Sequence, residues 1–200
     1  MNAVVSNILL ILVFIIIGGV FAAAEMALVS LRESQVKQLS TRGTRGKTVA
    51  GLAANPNRFL SAVQIGVTLS GFLSAAFGGA TLEEPLSAVL MGWGVPEGWA
   101  GPISLIVITI VISYFSIVIG ELTAKRLAMQ SAESFAMALA PLVNAIATVT
   151  RPVIWFLGVS TNGLVRVLGG DPRAGREEVT DEELRAMVTS SSTLGDEERQ

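Results

Sequence analysis

Apolar positions in this chain fall in long unbroken runs, without the alternation of half-buried strands or the one-sided stripe of soluble helices, and the charges collect between the runs. Ile8 to Ala24, extended by Val4, Val5 and Met26 to Val29, reaches the roughly 20 residues that a membrane-spanning helix needs. A second run from Phe59 to about residue 80 carries Gly66, Ser70, Ser74 and Gly78 at intervals of four, with Gly71, Ala75 and Gly79 in a neighbouring row. Rows of small residues let helix backbones approach closely in lipid, so this face is read as a packing surface, with the hydroxyls of Thr68, Ser70 and Ser74 as candidates for a polar interior. Gly78-Gly79 and the Glu83-Glu84-Pro85 turn are expected to end that helix, with Leu86 to Met91 as a short outer helix. A third run, Ile103 to about Glu121, places Thr109, Ser113, Ser116 and Gly120 close to one face.

Charge sets the orientation. Arg32, Lys37, Arg42, Arg45, Lys47 and Arg58 lie in one loop, and the next Lys or Arg is Lys125. The positive-inside rule makes that loop cytoplasmic and puts the acidic segment around Glu83, Glu84 and Glu97 outside, with the amino terminus outside and the carboxy terminus in the cytoplasm. Val36, Leu39, Val49, Leu52 and Ala53 recur at helical spacing within the loop, which predicts one or two amphipathic helices interrupted near Gly43 and Gly46. Two later apolar segments, Phe135 to Val149 and Val153 to Leu168, are short for spans. If both crossed, Arg151 would lie in an external turn, and Pro141 and Asn144 would sit poorly in lipid. They are read as a cytoplasmic-side helical belt with Trp155 and Phe156 near the interface. Ala22-Ala23-Ala24 resembles a signal-peptidase site, yet no Lys or Arg precedes it and the apolar run is longer than a usual leader, so the segment is read as a retained span.

The expected fold class is therefore an all-α membrane protein: three transmembrane helices (about 4–30, 59–80 and 102–124) plus a juxtamembrane amphipathic helical belt (about 32–54 and 132–168). Together these form a transmembrane domain over 1–169. Residues 170–200 read as a cytoplasmic linker and the start of a further soluble region. There Thr180 to Glu183 makes a capping box, opening a short helix through Val188.

Composition narrows the chemistry. The 200 residues are 51% hydrophobic and 15% charged, against roughly 25% charged in soluble domains. The net charge of −2 gives no footprint for nucleic acid. With no cysteine and no histidine, disulfides, thiolate and imidazole metal sites, and Ser-His-Asp or Cys-His catalysis are all excluded, and no nucleophile and base pair marks an enzyme. A bound cation has to accept oxygen ligands, which points to magnesium, calcium, manganese or sodium.

Glu121 ends the third apolar run. A carboxylate inside a span costs roughly 3 kcal/mol even on lenient scales, which makes it a candidate functional group. Its competing reading is an ion pair with Lys125 four residues on, worth about 0.2–0.5 kcal/mol. Counting 1.5 Å per residue from the flanking charges puts Glu25 about 10 Å and Glu121 about 6 Å inside the cytoplasmic boundary, with Ser70 deeper at about 17 Å. A bend or unwinding at Gly18-Gly19 or Gly120 would close that gap and free the carbonyls of Gly120 and of Ala22 to Ala24 as ligands. A cation site and an intraprotein hydrogen-bond cluster around Glu25 and Glu121 both remain open on these grounds.

Four motifs occur in order along the chain: Phe21-Ala-Ala-Ala-Glu25-Met-Ala-Leu28; Pro56-Asn-Arg-Phe-Leu60 with Gln64 to Leu69; Gly120-Glu121-Leu-Thr-Ala-Lys125-Arg-Leu-Ala128; and Glu177 to Leu184. Together they resemble the CorC and cyclin-M (CNNM) magnesium transporters. The resemblance implies a magnesium transporter, exporting Mg2+ with sodium as the coupling ion, in the cell membrane as a multi-pass homodimer. It also implies a following CBS-domain pair that binds ATP. A magnesium sensor that regulates a partner without transport is the alternative. Carried over by position, the metal ligands are Glu121, Ser70, the Gly120 carbonyl and the first-span segment at Ala22 leading to Glu25. Two departures stand out: alanine at 22 and 24 where many relatives have serine, leaving only carbonyls there, and Ala124 in place of the usual proline before Lys125, which relaxes the expected helix break.

Overall fold

The computed structural model describes residues 3–170, and among these the chain is helical throughout, with no strand. The motif at Thr180 and the expected start of a soluble region lie outside the described residues. The first unit, through Ile154, holds α1 (Ala3–Ser30), α2 (Glu33–Ser40), α3 (Gly43–Ala53), α4 (Pro56–Gly92), α5 (Glu97–Phe115), a π-helical segment (Ser116–Thr123), α6 (Ala124–Gln130) and α7 (Ala132–Val149). α8 (Arg151–Val167) runs on into a second unit that starts at Trp155, and its carboxy end is closed by a bond from the Gly170 amide to the Val165 carbonyl.

Two expected breaks are absent. α1 is one uninterrupted helix of 28 residues through Gly18-Gly19. α4 runs for 37 residues, about 55 Å, through Gly78-Gly79 and Pro85, so the anticipated outer helix is its continuation. The reason lies in packing. Gly66, Ser70, Ser74, Gly78 and Gly79 are buried in α4, and a side chain at Gly78 would collide with Ile112 and one at Gly79 with Leu105. The glycines therefore serve close approach between α4 and its neighbours α1 and α5, and the conformational entropy they cost is offset there. Beyond them Leu82 and Leu86 pack on a cluster of Ile11, Ile15, Ile108 and Ile112, which carries the helix past Pro85.

Charge-rich residues 32–54 form two helices as expected, with Arg58 in the first turn of α4, and the two glycines named for the interruption do different jobs. Gly43 has φ +76°, the left-handed conformation that starts α3, while Gly46 presses its Cα against the Leu39 carbonyl of α2. Leu39, Val49 and Leu52 then meet Ala23, Ala24, Ala27 and Leu28 of α1, Phe59 and Val63 of α4, Ala128 of α6, and Ala136, Ala140 and Val143 of α7 in a second apolar cluster.

The span count differs from three. Among the described residues four helical stretches are long and apolar enough to cross a membrane by length and composition: Ala3–Val29, Pro56–Gly92, Glu97–Gln130 and Ala132–Val149. The fourth is α7, and both its ends are tied to the basic segment. The Gln35 amide donates to Glu133 at 2.9 Å with Arg42 at 3.7 Å from the same carboxylate, and Arg58 donates to the Thr148 hydroxyl at 3.1 Å.

Gly46→Ala is expected to destabilise the protein by about 1–3 kcal/mol through overpacking against Leu39. Gly51→Ala, whose added methyl meets nothing, is expected to be neutral or to stabilise by up to about 1 kcal/mol. Melting midpoints in detergent, compared side by side, check both.

Candidate cation site at the π-helical turn

α5, the π-helical segment and α6 make one helical run from Glu97 to Gln130 that changes its hydrogen-bonding pattern without breaking. Gly120 is, with Gly18-Gly19, one of the places where a bend or unwinding is expected. Instead the helix widens there, and the widening decides which side chains face together. In an α-helix Ser116 and Glu121, five residues apart, would stand about 140° apart around the axis. A π-helix pairs i with i+5, so the two come to lie on one side.

That side meets α1 and α4 at a small cavity of about 30 Å³ lined by Gly18, Ser70, Ser116, Gly120 and Glu121, with Phe14, Ile15, Val67 and Gly71 completing it. One water needs about 10–15 Å³ by the same measure, so there is room for one or two water-sized species. Three glycines make the approach possible. A methyl at Gly18 would stand 3.3 Å from the Ser70 Cβ, one at Gly120 would stand 3.0 Å from the Ile15 carbonyl oxygen, and one at Gly19 would stand 3.3 Å from the Gly120 carbonyl oxygen. Ser70 is 6% exposed, and its carbonyl accepts a bond from the Ser74 hydroxyl at 2.9 Å. The depth gap between Ser70 and Glu121 thus closes through tight packing alone, without a bend in α1.

Along α1 the cavity falls between two apolar clusters, with Ile11 and Ile15 on one side and Ala23 to Leu28 on the other. Packed apolar side chains thus flank the cavity on both sides along α1.

The electrostatics centre on one lysine. Lys125 Nζ lies 3.1 Å from Glu121 Oε1 and 3.5 Å from Glu25 Oε2, so one ammonium serves two carboxylates and the cluster keeps one net negative charge. The side chain of Glu121 is 44% exposed and that of Glu25 27%. Of the five residues singled out in the sequence, the structure therefore brings Ser70, Gly120 and Glu121 to one cavity. Glu25 instead joins Glu121 through Lys125. Ala22 is buried within the regular α-helix of α1, where its carbonyl is committed to the helix, and the Gly120 carbonyl oxygen rests against Gly19. Thr68 faces outward. Among the described residues no three acidic groups gather as a metal cluster, so a cation here would rely on one carboxylate, hydroxyls and backbone oxygens.

Two features lie beyond the sequence reading. Gly18 reads as a bend point, yet it works as the gap that admits Ser70. The ion pair of Lys125 with Glu121 is present as its spacing suggests, but the second contact of that lysine, to Glu25, has no local signal in the sequence.

Comparison with known proteins follows the same residues. A family model described as the cyclin M transmembrane N-terminal domain matches residues 9–200. A UPF0053 protein of Synechocystis sp. is 38% identical over 195 residues, covering 97% of this chain and 43% of the relative. The UPF0053 protein YugS of Bacillus subtilis is 30% identical over 191 residues, covering 94% of this chain and 44% of the relative. A polyamine export protein of Haemophilus influenzae is 25% identical over 190 residues, again 94% of this chain and 44% of the relative. The chain spans less than half the length of these relatives.

Gly18→Cys/Ser70→Cys should oxidise to a disulfide, because the Cβ separation of 3.3 Å is close to the roughly 3.5–4.5 Å such bonds require. The chain has no other cysteine, so loss of thiol labelling on oxidation, confirmed by mass, reads the result cleanly.

Proposed function

Because this chain belongs to the cyclin M transmembrane-domain family of multi-pass membrane proteins, we propose that it forms the ion-translocating part of a magnesium transporter that holds Mg2+ beside Glu121 and exposes it to each side in turn. The observation that carries the reading is the cavity shared by Glu121, Ser70 and Ser116 at the π-helical turn. A carboxylate, hydroxyls and water are hard oxygen donors, which suit a cation that binds near-octahedrally at about 2.1 Å and keeps part of its hydration shell. Ser70 and Glu121 are the proposed side-chain ligands. The Gly120 carbonyl joins them once the turn shifts off Gly19, and the carbonyls near Ala22 would require α1 to open. Glu25 acts at one remove, through Lys125.

Orientation belongs to the same proposal: amino terminus outside, the basic segment and carboxy terminus cytoplasmic, with export as the direction. α7, tied at both ends to the basic segment, lies along the cytoplasmic boundary in this reading. Cysteines introduced at Ser134 and Val149 are expected to react with an impermeant thiol reagent from the cytoplasmic side alone. Labelling from opposite sides would make α7 a fourth span. Sodium exchange, a homodimer and ATP binding by a CBS pair rest on the family resemblance.

A polyamine is the second reading, favoured by the name of the Haemophilus relative and by the way Glu25 and Glu121 already hold an amine. A cavity of about 30 Å³ fits a small ion better than a polyamine chain.

The test is flux in dye-loaded proteoliposomes carrying the full-length protein. Glu121→Ala is expected to cut magnesium flux at least about ten-fold and Ser70→Ala about three-fold. Unchanged flux in Glu121→Ala would sink the assignment, spermidine counterflow without magnesium flux would favour the polyamine reading, and magnesium binding without flux would make the protein a sensor.

A further inference from the structure

Lys125 stands between two carboxylates that differ in one respect: Glu121 also lines the cavity, and Glu25 does not. Its ammonium is within hydrogen-bond reach of Glu121 Oε1 at 3.1 Å and a few tenths of an ångström farther from Glu25 Oε2 at 3.5 Å. A lysine head group carries three donors on a flexible stem, so a change of side-chain rotamer shifts its weight from one acceptor to the other without moving a helix. A carboxylate holding an ammonium has less charge to offer a second cation, and two cations on one carboxylate repel each other.

We propose that Lys125 competes with the transported cation for Glu121 and passes to Glu25 when that cation binds, which makes Glu25 a positioning residue for the lysine and not a ligand. The inference rests on the reading of Glu121 as a cation ligand. It gives Glu25, a carboxylate outside the cavity, a role that its place in the structure fits. It also makes binding an exchange of one cation for another at Glu121, so the charge on that carboxylate stays compensated while the site loads and unloads. Without Glu25 the lysine would have Glu121 as its one acceptor in this cluster, and the competition would become harder for the free ion. Without Lys125 the competition would vanish and Glu25 would have nothing to hold.

A double-mutant cycle on the full-length protein in nanodiscs, with Mg2+ affinity read by calorimetry at fixed ionic strength, separates this from simpler accounts. Lys125→Gln is expected to bind Mg2+ at least about five-fold more tightly than wild type, and Glu25→Gln about five-fold more weakly. In the Lys125→Gln background, Glu25→Gln is expected to change affinity by less than about two-fold. If Glu25→Gln weakens binding equally in both backgrounds, Glu25 is a ligand or a plain source of field and the proposal is overturned. Unchanged or weaker binding in Lys125→Gln overturns it as well. Lys125→Met, which keeps the aliphatic stem, replaces Lys125→Gln should that variant fail to fold, with the same expectation. Wild-type protein that binds no Mg2+ overturns both this inference and the transport reading, whereas the two preceding outcomes leave the transport reading standing.

Discussion

Backbone amides and carbonyls at membrane depth have to be bonded within the protein, and that constraint shapes every part of this structure. An unwound turn at Gly18-Gly19 or Gly120 would leave several such groups without partners. The chain keeps α1 and α4 whole and alters the third helix only by widening it to a π-helix over Ser116–Thr123, where every residue still sits in a bonded helix. The widening does what a break was expected to do. It turns Glu121 to the side of Ser116 and toward Ser70, and it leaves no stretch of bare backbone to be shielded from lipid.

Close approach follows from the same economy. Because apolar side chains gain little from meeting one another in lipid, contact between helices depends on how near their backbones can come. Gly18 opposite Ser70, Gly19 opposite the Gly120 carbonyl, and Gly120 opposite the Ile15 carbonyl bring α1, α4 and the π-helical turn together at one level. Apolar clusters flank that level on both sides along α1. The carboxylate there is compensated by Lys125, which Glu25 shares. Close approach and charge compensation thus come from separate residues, and each can be perturbed alone.

Much of this was legible in the sequence. The apolar runs marked the three longest helical stretches, the four-residue row from Gly66 to Gly78 marked the buried face of α4, and a costly carboxylate marked Glu121. The boundaries were harder. Gly78-Gly79 and Pro85 read locally as a stop, yet packing of α4 on α5 and on the cluster of Ile11, Ile15, Ile108 and Ile112 overrode them, a tertiary effect that propensity does not contain. The π-helix was invisible because no local pattern marks it; within it Gly120 lies close against Ile15 of α1, a contact that periodicity does not contain. α7 was ambiguous for a different reason: its length and apolarity suit a span, while Glu133 and Thr148 at its two ends bond to the basic segment, and periodicity cannot see those partners. Alanine at 22 and 24 fits the outcome that α1 contributes Gly18 to the site through close packing, with no polar side chain of its own there.

Every role proposed for these residues depends on a cation binding beside Glu121. A high-resolution structure of the full-length protein in nanodiscs with Mn2+ in place of Mg2+, so that the metal can be located by its anomalous or excess scattering, addresses this directly. Metal density is expected about 2.1–2.2 Å from a Glu121 carboxylate oxygen and facing Ser70, with Lys125 displaced toward Glu25. Metal density elsewhere, with Lys125 still bridging Glu121 and Glu25, would contradict that expectation.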